Sequence, residues 1–528
     1  MQSLLQPIKP LIADYLHDYA KSQAAHEAVI FGDQRITYAT LSEQVTQCAK
    51  ALIVCGIQKG DRVAILCTSR PEYWVTFLAT TQIGAIWMGL NPKYRLQELQ
   101  YVIGDAQPKL LFAMASFEKD NYTDNIQALR NDFAFIKTVV SLTDPLPNSP
   151  DFKAFLLSGQ AVSDEELAKR QATIDTMEPA LLVYTSGSTG KPKGALLSHY
   201  GLCFGASVAS SHVDLIQPRT LCNFPINHVA CVADTCCANL VAGGTIVLQE
   251  RYDPAQVLAA ITHERLTLLG GVPTMLLVLL DHADFDNTDF SSVELIAWGG
   301  AAMPVNTIKR LQQLAPRMLN VYGMTETAAN TTYTSPDADL IELTETIGRP
   351  SPHMPCRIMS SEGKPCEVGE HGELQFKGEY LLLEYLNRPD ATREVYTEDG
   401  WLHTGDLGYW RDNGTISLVG RMSDMFKSGG YNVYPREIED VLESHAAIDM
   451  AAVVGIPDNR YQEVGAGFVS VNQPVDTDEL KRFCRQHLAN YKIPKSITVL
   501  DKLPTLPVGK VDKVSLKKQA TEPRKESL

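Results

Sequence analysis

Short apolar runs closed by turn residues alternate along most of this chain with stretches whose apolar residues recur every three or four positions. The first pattern favours buried strands and the second favours amphipathic helices. Ala28-Val29-Ile30-Phe31 and Ile36-Thr37-Tyr38, separated at Gly32-Asp33, predict a hairpin. Leu41, Val45, Cys48, Ala49 and Leu52 predict the helix after it. Buried strands are expected over 61–67, 109–113, 245–248 and 293–297. Alternation of this kind predicts α/β layers. Near residue 415 the texture changes. A strand at 415–419 leads into Gly420-Arg421, and then come a helix at 436–445, strands at 449–455 and 465–471, a helix at 477–489 and a strand at 496–500. The expected fold class is α/β, with a large N-terminal domain of layered α/β subdomains over 1–422 and a small α+β domain over 423–528.

One segment interrupts the alternation. The apolar Leu182-Val183 runs through Tyr184 into Thr185-Ser186-Gly187-Ser188-Thr189-Gly190-Lys191-Pro192-Lys193-Gly194. Glycine lets backbone N–H groups approach an anion, hydroxyls donate to it and lysine supplies charge, so the segment reads as a phosphate-holding loop. It is not a Walker A loop, which needs four residues between its first glycine and Gly-Lys, followed by Ser or Thr. Only Ser188 and Thr189 separate Gly187 from Gly190-Lys191, and Pro192, which has no N–H to donate, follows.

Composition narrows the function further. The formal charge is −15, from 62 acidic against 47 basic side chains. That argues against nonspecific nucleic-acid binding, which needs a basic footprint, but leaves room for a local basic pocket. The 11 cysteines are scattered, with no C-x-x-C pair, and read as structural thiols of a reducing compartment rather than metal ligands. Met1–Pro7 has neither a basic n-region nor an apolar h-region, and no stretch has the length of a membrane span. Lys525-Glu526-Ser527-Leu528 is not a Ser-Lys-Leu peroxisomal address. A cytoplasmic enzyme is expected.

Five segments in order along the chain resemble the motifs of the adenylate-forming superfamily, which holds acyl-CoA synthetases, peptide-synthetase adenylation domains and firefly-type luciferases. Tyr184–Gly194 is similar to its phosphate loop, Tyr322-Gly323-Met324-Thr325-Glu326-Thr327 to its Tyr-Gly-x-Thr-Glu motif, and Trp401-Leu402-His403-Thr404-Gly405-Asp406 to its Thr-Gly-Asp motif. Gly420-Arg421 resembles the start of its inter-domain segment, and Pro507-Val508-Gly509-Lys510-Val511-Asp512 its C-terminal Gly-Lys motif. The resemblance implies two half-reactions. A carboxylate attacks the α-phosphate of MgATP to give acyl-AMP and pyrophosphate, and a thiol then displaces AMP. Catalysis of the first step is mostly positioning and charge neutralisation.

The resemblance also implies residue roles. Thr185, Ser186, Gly187, Ser188, Thr189, Gly190 and Lys193 would hold the β- and γ-phosphates, Thr325 would touch the α-phosphate, and Glu326 would bind Mg²⁺. Tyr322, followed by Gly323, would stack on adenine, with Asn320, Gly300 and Ala301 along its edge. Asp406 would accept from the ribose hydroxyls, and Arg421 would add a ribose or phosphate contact. His228 would stand beside the acid's carboxylate, and Lys510, on a mobile small domain, would bridge carboxylate and α-phosphate during adenylation only. Gly429 would leave room for pantetheine. At the hinge, where the family usually has Asp or Lys, this chain has Ser423 followed by Asp424.

The cofactors implied are ATP, Mg²⁺ and coenzyme A, and the partner is a small carboxylic acid. The favoured class is an acid–CoA ligase; the alternative is a stand-alone adenylation protein that loads the phosphopantetheine of an acyl carrier protein. The acid pocket is expected to be apolar, lined by Val229, Ala230, Cys231, Val232, Trp298, Ala301 and Met324, with Trp298 shortening it. Asp234, six positions after His228 on an expected helix, either turns away or supplies a counter-charge for a cationic acid.

Overall fold

The computed structural model of the protein describes residues 8–185, 191–506 and 509–521. Ser186, Gly187, Ser188, Thr189 and Gly190, all expected in the phosphate loop, lie outside the described residues, as do Pro507 and Val508.

The opening hairpin and helix form as the pattern predicts, as strands Glu27–Phe31 and Gln34–Thr37 and helix Tyr38–Val54. Thr37 caps the helix by accepting from the Thr40 N–H at 3.2 Å, and the buried face carries Leu41, Val45, Cys48, Ala49 and Leu52. Strand Arg62–Leu66 is buried continuously from Val63 to Leu66. A strand covered on both faces needs that pattern. It lies inside a seven-stranded sheet between the parallel strands Ile86–Leu90 and Leu110–Ala113. The same sheet holds the antiparallel pair Pro179–Thr185 and Lys193–Ser198, which sets Thr185 opposite Lys193, and ends in the short strand Glu384–Tyr385.

A nine-stranded sheet supplies the second layer. Four of its strands, Arg219–Cys222, Leu268–Gly271, Leu295–Gly299 and Arg317–Gly323, lie side by side and parallel. Their carboxyl ends therefore open at one edge, where α/β sheets bind ligands. Side chains alternate across such a strand. Ile296 and Trp298 enter the core on one face of this sheet, while Leu295 and Ala297 pack on the other. Trp298 is 1% exposed and so does not shorten an acid pocket. Val229, Cys231 and Val232 are likewise buried in the main core. Of the apolar lining expected, Ala230, Ala301 and Met324 present accessible surface.

An antiparallel four-stranded sheet, Cys356–Met359, Gly372–Phe376, Leu402–Trp410 and Ile416–Arg421, closes the large unit. Beyond it, strands Phe426–Ser428, Tyr431–Val433, Ile448–Asp458, Gln462–Val471 and Ser496–Val499 form a separate sheet, flanked by helices Pro435–Glu443, Thr477–His487 and Lys513–Thr521. Its two apolar clusters draw every residue from Phe426 onward, so this α+β unit has its own core. Among the described residues no helix is long and apolar enough to cross a membrane.

Gly348 sits at a tight point between the nine-stranded sheet, at Tyr333, and the four-stranded sheet, where the Ile416 N–H donates to its carbonyl. Its φ is +76°, and a Cβ there would lie 2.0 Å from the Tyr333 carbonyl. Gly348→Ala is expected to cost at least about 2 kcal/mol through strain and the clash. The first thermal unfolding transition should fall measurably; an unchanged transition would contradict this packing.

Candidate active site

The cleft at the carboxyl ends of the four parallel strands collects side chains from all three sheets. Strand Arg317–Gly323 delivers Tyr322, whose buried hydroxyl donates to Asp406 Oδ2 at 2.6 Å. Burial and then the Asp406 charge push the Tyr322 hydroxyl well up, so it stays a donor. Asp406 sits on strand Leu402–Trp410, in direct register with Arg421 on the neighbouring strand. Arg421 Nε lies 3.0 Å from Asp406 Oδ1, and this carboxylate is the main reason the guanidinium's pKa is raised. The turn ahead of Asp406 is braced by Glu373, which accepts from the Gly405 N–H at 3.0 Å and lies 2.6 Å from His403 Nδ1. Asp406 is thus a preoriented acceptor with a donor on each oxygen.

Glu326 follows on a short 3₁₀ turn, Thr325–Thr327, and is nearly buried. Its Oε1 accepts from the Tyr385 hydroxyl at 2.6 Å, and burial followed by the Glu326 charge raises the tyrosine's pKa. The Lys193 ammonium sits 4.4 Å from the Tyr385 ring centroid, in cation–π range. One tyrosine therefore ties the expected metal ligand to a lysine of the expected phosphate loop.

His228 lies in the loop after strand Arg219–Cys222. Its Nδ1 accepts from the Ala230 N–H at 3.1 Å, which leaves Nε2 to carry the proton. Burial, with help from the nearby Lys510 charge, lowers its pKa to about 4, so the ring is neutral near pH 7. Lys510 reaches this cleft from the small unit. Its Cε lies 3.2 Å from where a Cβ on Gly300 would stand. Burial and then Arg421 lower the lysine's pKa, against the pull of Asp406 and Glu326. The tip carrying it is anchored by Thr274 Oγ1, which donates to the Gly509 carbonyl at 2.9 Å. Gly509 has φ +81°, and a Cβ there would come within 2.6 Å of Val272 Cγ2.

Most expected residues meet here. Thr325 is buried beside Glu326, and Gly300 and Ala301 are open at the cleft. Gly323 closes its strand against Ala329, where a Cβ would approach the carbonyl to 2.5 Å. Asn320 is present, but its amide nitrogen is committed to the Thr346 carbonyl at 2.9 Å. Thr185 and Lys193 stand at the hairpin mouth. Gly429 is elsewhere. It is exposed at the turn between Phe426–Ser428 and Tyr431–Val433, donates its N–H to the Tyr461 carbonyl, and has only Tyr461 near a would-be Cβ. Ser423 is exposed, its hydroxyl 3.2 Å from Asp424 Oδ1. Sequence reasoning missed Tyr385, Glu373 and Thr274, none of which lies in a recognisable motif.

Comparison with known proteins agrees with this geometry. The AMP-binding enzyme family matches residues 16–386, and the AMP-binding enzyme C-terminal domain matches residues 437–510. The feruloyl-CoA synthase of an Amycolatopsis species is 33% identical over 495 residues, covering 93% of this chain and 95% of that protein. The indoleacetate–CoA ligase of Aromatoleum aromaticum is 31% identical over 506 residues, covering 95% and 96%. The crystal structure of ATP-bound MatB from Rhodopseudomonas palustris superposes with a TM-score of 0.85 at 27% identity, covering 97% of this chain and 99% of that one.

Gly509→Ala should unseat the tip from Val272 and Thr274. Amide exchange at Gly509, which donates to the Leu506 carbonyl at 2.8 Å, is then expected to accelerate together with its neighbours. Exchange as slow as in the parent would contradict the docking.

Proposed function

The chain belongs to the family of AMP-binding enzymes and is an AMP-forming acid–CoA ligase, and from that premise we propose how its residues divide the work. In the first half-reaction an oxygen of the acid's carboxylate bonds to the α-phosphorus of ATP. The bond from that phosphorus to the bridging oxygen breaks, and pyrophosphate leaves. In the second, the thiol sulfur of coenzyme A bonds to the acyl carbon, the carbon–oxygen bond to AMP breaks, and the thiol proton is lost to solvent or base.

His228 donates from Nε2 to the acid's carboxylate and orients it toward phosphorus. Lys510 neutralises the charge that grows on the α-phosphate and carboxylate oxygens, which is worth most in a desolvated cleft. Thr325 adds a hydroxyl donor at the α-phosphate. Asp406 accepts from the ribose hydroxyls while Tyr322 and Arg421 hold it. Tyr322 presents its ring to adenine beside Asn320, Gly300, Ala301 and Gly323. Thr185 and Lys193, with Ser186, Gly187, Ser188, Thr189 and Gly190, take the outer phosphates. The donor set suits Mg²⁺, because Glu326 offers a carboxylate oxygen beyond the one engaged by Tyr385. A bound Mg²⁺ would neutralise phosphate charge as a Lewis acid.

The observation that carries this reading is Lys510 seated among His228, Gly300, Asp406 and Arg421 while Gly429 stays outside. It supports a small domain, running from 423 and hinged at Ser423, that presents Lys510 for adenylation and Gly429 for thioester formation. An acid panel with ATP and Mg²⁺, scored by pyrophosphate release with and without coenzyme A, tests the activity. A panel in which no acid yields pyrophosphate would contradict it.

Lys510→Ala is expected to lower acyl-AMP formation by roughly 10²-fold or more while thioester formation from supplied acyl-AMP persists; equal loss of both would contradict alternation. Gly429→Leu should show the reverse selectivity, and intact thioester formation in it would remove Gly429 from the pantetheine path. With the His228 pKa near 4, acyl-AMP formation should pass through pH 6.5 without an imidazole limb. A limb there that vanishes in His228→Gln would show a protonating His228 instead.

A further inference from the structure

The segment after His228 is a π-helix, Ala230–Cys237, not an ordinary α-helix. Wider turns of this kind recur at functional sites because they re-aim side chains. Cys231, Val232, Ala233, Cys236 and Cys237 face the core, whereas Ala230, Asp234 and Thr235 keep accessible surface. Asp234 stands beside Asn330, which pairs with Gly323 at the cleft end of strand Arg317–Gly323. Its Oδ1 accepts from the Asn330 N–H at 3.2 Å, four residues after Glu326, which ties the carboxyl to the strand that follows the Tyr-Gly-x-Thr-Glu motif.

The surroundings are apolar or already committed. Ala328 and Ala329 are buried, and Gly205 of the helix His199–Val213 packs so closely on Ala329 that a Cβ there would meet it at 2.4 Å. The Tyr333 hydroxyl donates to the Asn330 carbonyl at 3.0 Å, and its ring stacks on His212. Among the described residues no Lys, Arg or His nitrogen pairs with Asp234, and Oδ2 has no hydrogen-bond partner. Burial pushes this carboxyl up to about 7, with the Asn330 N–H pulling the other way. Its second oxygen keeps accessible surface, so a ligand group that reaches it can bond it in place of water.

We propose that Asp234 is a specificity-determining residue that selects acids bearing a hydroxyl at their far end, bonded to Asp234 Oδ2. This rests on the acid–CoA ligase reading of the same cleft. Asp234 stands six positions after His228, roughly 9 Å of chain at the helical rise, so the hydroxyl is expected about that far from the carboxylate. A hydroxyl suits the site because it donates to the ionised carboxyl and accepts from the neutral one. A fixed cation would instead have to shed its water in an apolar pocket, at several kcal/mol before pairing.

The test compares acids that differ only in that hydroxyl, such as 4-hydroxycinnamate with cinnamate and 8-hydroxyoctanoate with octanoate, by pyrophosphate release. In at least one pair the wild-type kcat/KM is expected to favour the hydroxy acid by roughly ten- to hundredfold. Asp234→Ala should bring that ratio to near one, with Asp234→Asn as a shape-preserving check against misfolding. A wild-type ratio near one in every pair, or a ratio unchanged in both variants, overturns the inference while leaving the ligase reading intact. A preference for 4-(aminomethyl)cinnamate over both partners overturns it in favour of a counter-charge. Failure of every acid to yield pyrophosphate overturns the ligase reading, and this inference with it.

Discussion

The cleft is organised around two cations held near one another. Lys510 and Arg421 arrive from opposite sides of the domain boundary and repel one another, and the lysine is desolvated besides. Asp406 and Glu326 offset part of this, but Asp406 already holds Arg421 and the Tyr322 hydroxyl, and Glu326 already accepts from Tyr385. In the proposed reaction a nucleoside triphosphate with a carboxylate beside it meets these two cations, which then face charge that increases as phosphorus is attacked. The same groups that repel one another here are those that stabilise the transition state.

That logic also explains why the lysine belongs to a unit with its own core. A cation fixed permanently at the α-phosphate would serve acyl-AMP formation and then obstruct the thiol. Among the described residues, the tip meets the large unit where Thr274 donates to the Gly509 carbonyl and Val272 lies beneath Gly509. In the proposed cycle this docking is released and the exposed Ser423 is where the backbone turns. Gly429 sits on the same small unit, so withdrawing one group and presenting the other are a single movement in this account.

Much of this was legible in the residues. Asp406, Tyr322, Glu326, Arg421 and Lys510 lie in motifs whose order identifies the cleft before any coordinates. The strand and helix pattern gave the layers and the separate C-terminal unit, because parallel strands buried on both faces read as apolar runs. Other features depend on three-dimensional placement. Tyr385 lies on a two-residue edge strand with no periodicity to announce it. Trp298 looked like pocket lining, yet strand parity sends it to the opposite face of the sheet. The π-helix at Ala230–Cys237 carries no spacing that separates it from an α-helix, although it leaves Asp234 with accessible surface among buried cysteines.

The most direct test of the electrostatic account is the titration of Lys510, followed by pH-dependent acetylation with site-resolved mass spectrometry. In the free protein its midpoint should lie below the ordinary lysine value, and a non-hydrolysable ATP analogue should raise it and slow labelling. A midpoint at the ordinary lysine value, or one that the nucleotide leaves unmoved, would contradict the claim that Lys510 is seated in the cleft to meet an anion.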